Sequence, residues 1–212
     1  MKHTFIGDIH GKVEQVERVL AKEGKKIFVG DLMDSFDRSW NDHAKCLSLV
    51  LEAVDKGEAD VIYGNHDLQY LNPHHKCSGW CKANQHTMLV NREKVEKYFK
   101  PFIFLSPEFL VTHAGLTNQL WIKKHLTFEN LEQRLIEGWP KTSSFVHQIG
   151  SYRGGFSSVG GIFWCDFNIE FTPIQGLTQV FGHTAGDGIR QRGNNFCIDC
   201  LDREHSFLEM DL

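Results

Sequence analysis

Ile27-Phe28-Val29-Gly30-Asp31-Leu32-Met33-Asp34 is an apolar run that breaks at a glycine and delivers two carboxylates behind it. A run of β-branched and aromatic residues bounded by a breaker reads as a buried strand, and glycine lets the backbone turn sharply at its end. The same unit stands on either side. Upstream, Thr4-Phe5-Ile6 ends at Gly7-Asp8-Ile9-His10-Gly11 and is followed by Val13, Val16, Val19 and Leu20 at helical spacing. Downstream, a helix is expected around His43 to Val54, after which Val61-Ile62-Tyr63 ends at Gly64-Asn65-His66-Asp67. Strand, polar turn and helix in alternation predict an α/β fold whose strand carboxyl ends share one edge, where loops converge and ligands collect.

Further strands are expected at Phe102 to Leu105, Phe109 to Thr112, Gln179 to Phe181, Phe196 to Leu201 and Ser206 to Met210, the later ones hairpin-like. Between Gly150 and Gly161 the chain is rich in Gly and Ser, which suggests a loop that approaches ligand. The 212 residues show no linker between composition regimes, so one domain over 1–212 is expected. Hydrophobic residues at 41% and charged residues at 24% exclude a disordered chain and argue against a membrane span. A formal charge of -4 gives no field for general nucleic-acid binding. The N-terminus runs into a strand without a secretory apolar stretch, so cytoplasmic location and reduced cysteines are expected.

Five short segments place candidate ligands beside glycine or at strand ends: Gly7-Asp8-Ile9-His10-Gly11, Gly30-Asp31-Leu32-Met33-Asp34, Gly64-Asn65-His66-Asp67, Thr112-His113-Ala114-Gly115 and Gly182-His183-Thr184. Any one of them alone reads as a helix cap or a structural histidine. Together they supply a mixed oxygen and nitrogen coordination set, which independent caps have no reason to do.

On these segments, spanning Asp8 to His183, the chain resembles the calcineurin-like metallophosphoesterases, and within them the phosphoprotein phosphatase family that includes phage lambda phosphatase and the diadenosine tetraphosphatases. The resemblance implies an α/β sandwich with central mixed sheets flanked by helices, and a two-metal centre that activates water against a phosphate ester. It implies Asp8 and His10 as ligands of a first metal, Asp31 as a bridge, and Asn65, His113 and His183 completing the second site. Two divalent cations about 3.5–4 Å apart need anionic charge between them, which a bridging carboxylate provides. The neutral Asn65 would add an oxygen without diluting Lewis acidity. Manganese is the expected metal, with iron or zinc also suited to such ligands. His66 is implied as the general acid, and Asp34 as the group that orients it.

The chain departs from the family where Arg usually follows the position of Asp34, since Ser35 stands there. Arg38 and Arg153 are the candidate replacements, because a guanidinium can clamp phosphate oxygens in pairs. Asp67 stands where many relatives carry Glu and keeps the charge. Trp164, in a stretch that also resembles the family, reads as core ahead of pocket wall. The expected substrate is a phosphorylated molecule: a phosphoprotein, a small phosphoester or a nucleotide. Asn72 to His86 and the loop around Arg153 are the candidate rim that selects among them.

Three rival readings can be tested structurally. Cys197 and Arg203 have the Cys-x5-Arg spacing of a thiol phosphatase, but the alternation of Phe196 to Leu201 predicts a strand with inert core thiols. Cys77 and Cys81, after His74 and His75, miss the tight zinc-knuckle spacing and read as structural or substrate-loop residues. A scaffold that retained the fold without catalysis is the non-enzymatic reading, which the complete ligand set weakens.

Overall fold

The protein is described by a computed structural model over residues 1–72, 75–201 and 207–212. Among the described residues ten strands form two five-stranded sheets. In the first, β1 (Lys2–Ile6), β2 (Lys25–Phe28), β3 (Ala59–Ile62) and β4 (Phe99–Lys100) run parallel, and the C-terminal strand β10 (Phe207–Asp211) closes the edge antiparallel to β1. The second is built from β5 (Ile103–Ser106), β6 (Phe109–Val111), β7 (Thr178–Phe181), β8 (Arg190–Arg192) and β9 (Asn195–Cys197), in the order β5-β6-β7-β9-β8. Here β6, β7 and β9 are parallel, while β5 and β8 pair antiparallel at the edges.

The period-2 alternation of strand side chains makes this a sandwich. Phe5, Ile27 and Ile62 point from the first sheet into a cluster with Phe109, Val111 and Val180 of the second. Their neighbours Ile6, Phe28 and Val61 point the opposite way, into the larger core that holds Val16 and Val19 of α1 (Val13–Leu20) and Leu47, Val50 and Leu51 of α2 (Trp40–Asp55). Burying each such side chain is worth roughly 1.5–3 kcal/mol, and the two buried clusters hold the parallel strand ends in place. Helix α2 starts three residues earlier than its apolar periodicity suggests, because Ser39 and Asp42 form a reciprocal capping box. No helix among the described residues is long and apolar enough to cross a membrane.

Most expected strands lie within a residue or two of their observed limits. The exception is Phe196 to Leu201, where β9 stops at Cys197 and the next residues turn out of the sheet. Of the later strands expected to be hairpin-like, β9 forms a hairpin with β8, a strand that was not expected, whereas β7 pairs parallel with both β6 and β9 and β10 pairs with the distant β1. The expected strand start at Ser206 lies outside the described residues.

Candidate active site

Asp8 follows β1, Asp31 follows β2, and Asn65 opens the short helix α3 (Asn65–Leu68) behind β3. His113 follows β6 and His183 follows β7, so both sheets send donors to one shared edge. The turns that do this are tight. His10, Asp31, Asp34 and His183 all have positive φ, between 45° and 67°. A non-glycine residue held there costs on the order of 1–3 kcal/mol, so the surrounding structure must over-determine it. Glycine makes room at two points: a Cβ on Gly64 would collide with the Asp31 carboxylate, and one on Gly182 with that of Asp8.

Donor atoms of Asp8, His10 and Asp31 lie within 4.8 Å of one another, as do those of Asp31, His113 and His183, so Asp31 belongs to both groups. Asn65 Oδ1 is 2.8 Å from His113 Nε2 and 2.9 Å from His183 Nδ1. Backbone carbonyls fix two tautomers. His113 Nδ1 lies 2.8 Å from the Val29 oxygen, and His10 Nδ1 lies 2.7 Å from that of Asp34 and 3.0 Å from that of Met33. In the neutral ring, an Nδ1 that donates to a carbonyl leaves Nε2 as a lone pair aimed at Asp31, 3.3 Å from its Oδ2 for His113 and 3.8 Å for His10. Carboxylate, carboxamide and imidazole donor atoms thus converge on one shared edge. This donor set fits divalent cations.

The electrostatics agree. Burial works to lower the His113 pKa, but the Asp31 and Asp8 carboxylates outweigh it and raise it to about 10. Burial would raise Asp31, yet His113, His66 and His10 hold it well below the usual carboxylate range. Asp8 is pushed up by burial and by the charge of Asp199, and His183 is pushed down by burial and by His113. The pocket attracts positive charge to its centre.

His66 lies beside this cluster with Nδ1 3.0 Å from Asp34 Oδ2. Asp34 is a hub. The same Oδ2 accepts from Gln69 Nε2, and Oδ1 accepts from the Tyr70 hydroxyl and from Asn84 Nδ2 at 3.1 Å. Four donors satisfy both oxygens of this buried carboxylate, and its place beside His66 keeps the His66 proton on Nδ1. Burial alone would lower the His66 pKa; Asp31 and Asp34 reverse that and raise it.

The two arginines part company. Arg38 turns to the surface and pairs with Glu14 through NH2 at 2.7 Å and NH1 at 3.3 Å. Arg153 lines the cavity of ≈ 470 Å³ that also contains Asp8, Asp31, Asn65 and His183. Its NH2 bonds Asp166 Oδ2 at 2.9 Å and Thr184 Oγ1 at 3.0 Å, and its buried Nε has no partner.

Several contacts of this region escaped the sequence reading. Cys77 accepts from Asn65 Nδ2 at 3.1 Å and donates to the Asn65 carbonyl at 3.3 Å, which turns the amide oxygen toward His113. Nothing local in the sequence signals it. Asp67, read only as a charge, accepts from four backbone N–H groups, those of Asp31, Leu32, Met33 and Gly64, at 2.8–3.2 Å. Burial and Asp31 push its pKa up to about 7. Four N–H donors with no acceptor for an acid proton nevertheless favour the carboxylate. Asp199 was assigned to a strand but lines the same cavity. Its signal is an aspartate after an apolar run, as at Asp8 and Asp31, without the glycine.

The thiol readings resolve structurally. Cys197 is fully buried, and burial pushes its thiol up to about 12, so it offers no thiolate nucleophile; Arg203 lies outside the described residues. Neither metal-type group among the described residues contains a cysteine. Cys81 instead caps the helix α4 (Lys82–Val90), and His74 lies outside the described residues. Trp164 belongs to the core cluster and also lines the cavity, its ring edge-on to His183.

Residues 1–187 match the calcineurin-like phosphoesterase family, and the chain belongs to that family. It is 28% identical over 147 residues to a symmetrical bis(5'-nucleosyl)-tetraphosphatase of Shewanella oneidensis, a match covering 62% of this chain and 50% of that one. The chain therefore spans about half the length of this curated relative. Among solved structures, a cold-active protein tyrosine phosphatase superposes with a TM-score of 0.66 at 17% identity, covering 99% of this chain and 73% of that one. A protein serine/threonine phosphatase from Saccharomyces cerevisiae superposes with a TM-score of 0.56 at 16% identity, covering 93% and 66%. At these identities the two structures speak to the fold alone.

Proposed function

We propose that the chain is a metal-dependent phosphoesterase acting on phosphate monoesters. The observation that carries this reading is the convergence of carboxylate and imidazole donors from four loops on two overlapping groups that share Asp31, with the Asn65 oxygen against His113 and His183. Asp8, His10 and Asp31 would hold one divalent cation, and Asp31, Asn65, His113 and His183 the other. When bound, such a pair supplies Lewis acidity and lowers the pKa of water at neutral pH. Manganese is the proposed metal, and iron and zinc are the alternatives the same assay compares.

The chain's own groups do the rest. His66 holds a proton on Nδ1 against Asp34, so Nε2 is the atom that protonates the departing oxygen, a contribution of about 10²–10⁴-fold. Arg153, fixed by Asp166 and Thr184, presents its remaining guanidinium hydrogens to the phosphate oxygens. Arg38, committed to Glu14, is not used. A phosphoprotein is the first substrate class, and the tetraphosphatase relative makes a nucleotide the second. All six cysteines are free, which suits the proposed cytoplasmic location.

The test is hydrolysis of an aryl phosphate by metal-stripped protein, with manganese added back and a chelator as control. Activity restored by manganese supports the reading. Inactivity with every divalent ion toward monoesters, diesters and dinucleotides alike would leave a non-catalytic scaffold in its place.

A further inference from the structure

His66 stands between two cavities. One is the metal-ligand cavity described above; the other, ≈ 230 Å³, is lined by His66, Phe36, Lys12, Asp37, Ser35 and Gly79 among others, with Asp34 at its wall. His10, Phe36, His66 and Ser78 line both, so the two spaces are continuous past the acid. A general acid must lie within hydrogen-bond reach of the oxygen it protonates, so the leaving group sits on its side of the phosphorus. The second cavity is the space that receives it.

The shape and chemistry of that space narrow what fits. Phe36 is 93% exposed although it lies beside a buried catalytic cluster, so its ring face is open. Ser35, Ser78 and Gly79 add little side-chain bulk to the wall, and Gly79 packs close enough to Asp34 that a Cβ would come to 3.0 Å from its Cβ. The volume lies below the range of about 300–1,000 Å³ usual for pockets that enclose a whole drug-sized ligand, and suits one ring system. An open aromatic face beside a small slot favours a planar π partner in offset or edge contact over a flexible alkyl chain.

We propose that this cavity is a leaving-group subsite in which Phe36 stacks on an aromatic ring carried by the substrate alcohol. The proposal rests on the phosphoesterase reading and adds the class of ester preferred: one whose leaving group bears a ring, either as an aryl side chain or as a nucleobase.

The test uses the metal-loaded full chain and two matched pairs, 2-phenylethyl phosphate against butyl phosphate and adenosine 5'-monophosphate against ribose 5-phosphate. Within each pair the departing oxygen is alkyl, so a difference in kcat/KM reports the ring and not leaving-group basicity. Phe36→Ala is expected to reduce the ring preference by about 5- to 20-fold in at least one pair. Phe36→Trp is expected to keep it. The pair that responds identifies the ring source as aryl or nucleobase. A preference unchanged by Phe36→Ala in both pairs overturns the subsite. Absence of metal-dependent hydrolysis of all four esters by the unsubstituted chain would instead reject the phosphoesterase reading itself.

Discussion

Asp34→Asn isolates the chemistry assigned to His66 more cleanly than loss of His66 alone. The carboxylate accepts four donors, two on each oxygen: His66 and Gln69 on Oδ2, Tyr70 and Asn84 on Oδ1. An asparagine can keep an oxygen toward His66 and Gln69, but its NH2 then faces two donors. Tyr70 can rotate its hydroxyl and accept; Asn84 cannot without flipping its amide. One conflicted buried donor costs about 1–3 kcal/mol, so a loss of that size in urea denaturation is expected.

The catalytic cost is separate. A hydrogen bond between two ionised groups becomes one with a neutral acceptor, weakening support of the His66 cation by about 1–1.5 kcal/mol, or roughly 10-fold in kcat. The decisive assay is a double-mutant cycle on an alkyl phosphate, whose leaving oxygen needs the proton. If Asp34 acts through His66, Asp34→Asn slows turnover about 10-fold in the parent and has almost no effect once His66→Asn is present. The pH profile adds a sign. The acid form is required and its pKa is raised above 6.5 with Asp34 contributing, so kcat falls as pH rises through that value. Removing the Asp34 charge moves this alkaline limb to lower pH. Equal factors in both backgrounds, with an unmoved limb, would refute the pairing.

Four other outcomes follow from the same geometry. Asp31→Asn should abolish turnover and weaken manganese binding by calorimetry, whereas His66→Asn should lose turnover and bind metal almost normally. Cys77→Ala removes the acceptor that orients Asn65 and should weaken metal binding about 10-fold, with Cys77→Ser close to the parent. Asp67→Asn sets an NH2 against two of four backbone N–H groups and should cost about 2–4 kcal/mol of stability in urea melts. Arg153→Ala should raise KM for phosphate esters about 10-fold or more, while Arg38→Ala leaves it unchanged, as steady-state kinetics would show.

The sequence by itself determined the repeated strand-glycine-donor unit. Alternating apolar runs and their breakers are local physics, and they were enough to predict the parallel strands and the shared edge; Asp8, His10, Asp31, Asn65, His113 and His183 were singled out as a ligand set by the family resemblance of the segments behind those strands. What it left undecided depended on contacts between distant segments. Arg38 and Arg153 were equivalent as residue types; only folding pairs Arg38 with Glu14 and brings Arg153 beside Thr184. Cys77 next to Asn65 and the four donors around Asp34 come from segments 12 to 50 residues apart in the chain. Asp199 looked like part of a strand because alternation cannot show where pairing stops; the sheet ends at Cys197, and the next turn carries the carboxylate into the cavity. Hydrophobic periodicity is written in near neighbours, whereas the orientation of a buried polar group is set by whichever partner the tertiary fold brings within 3 Å or so of it.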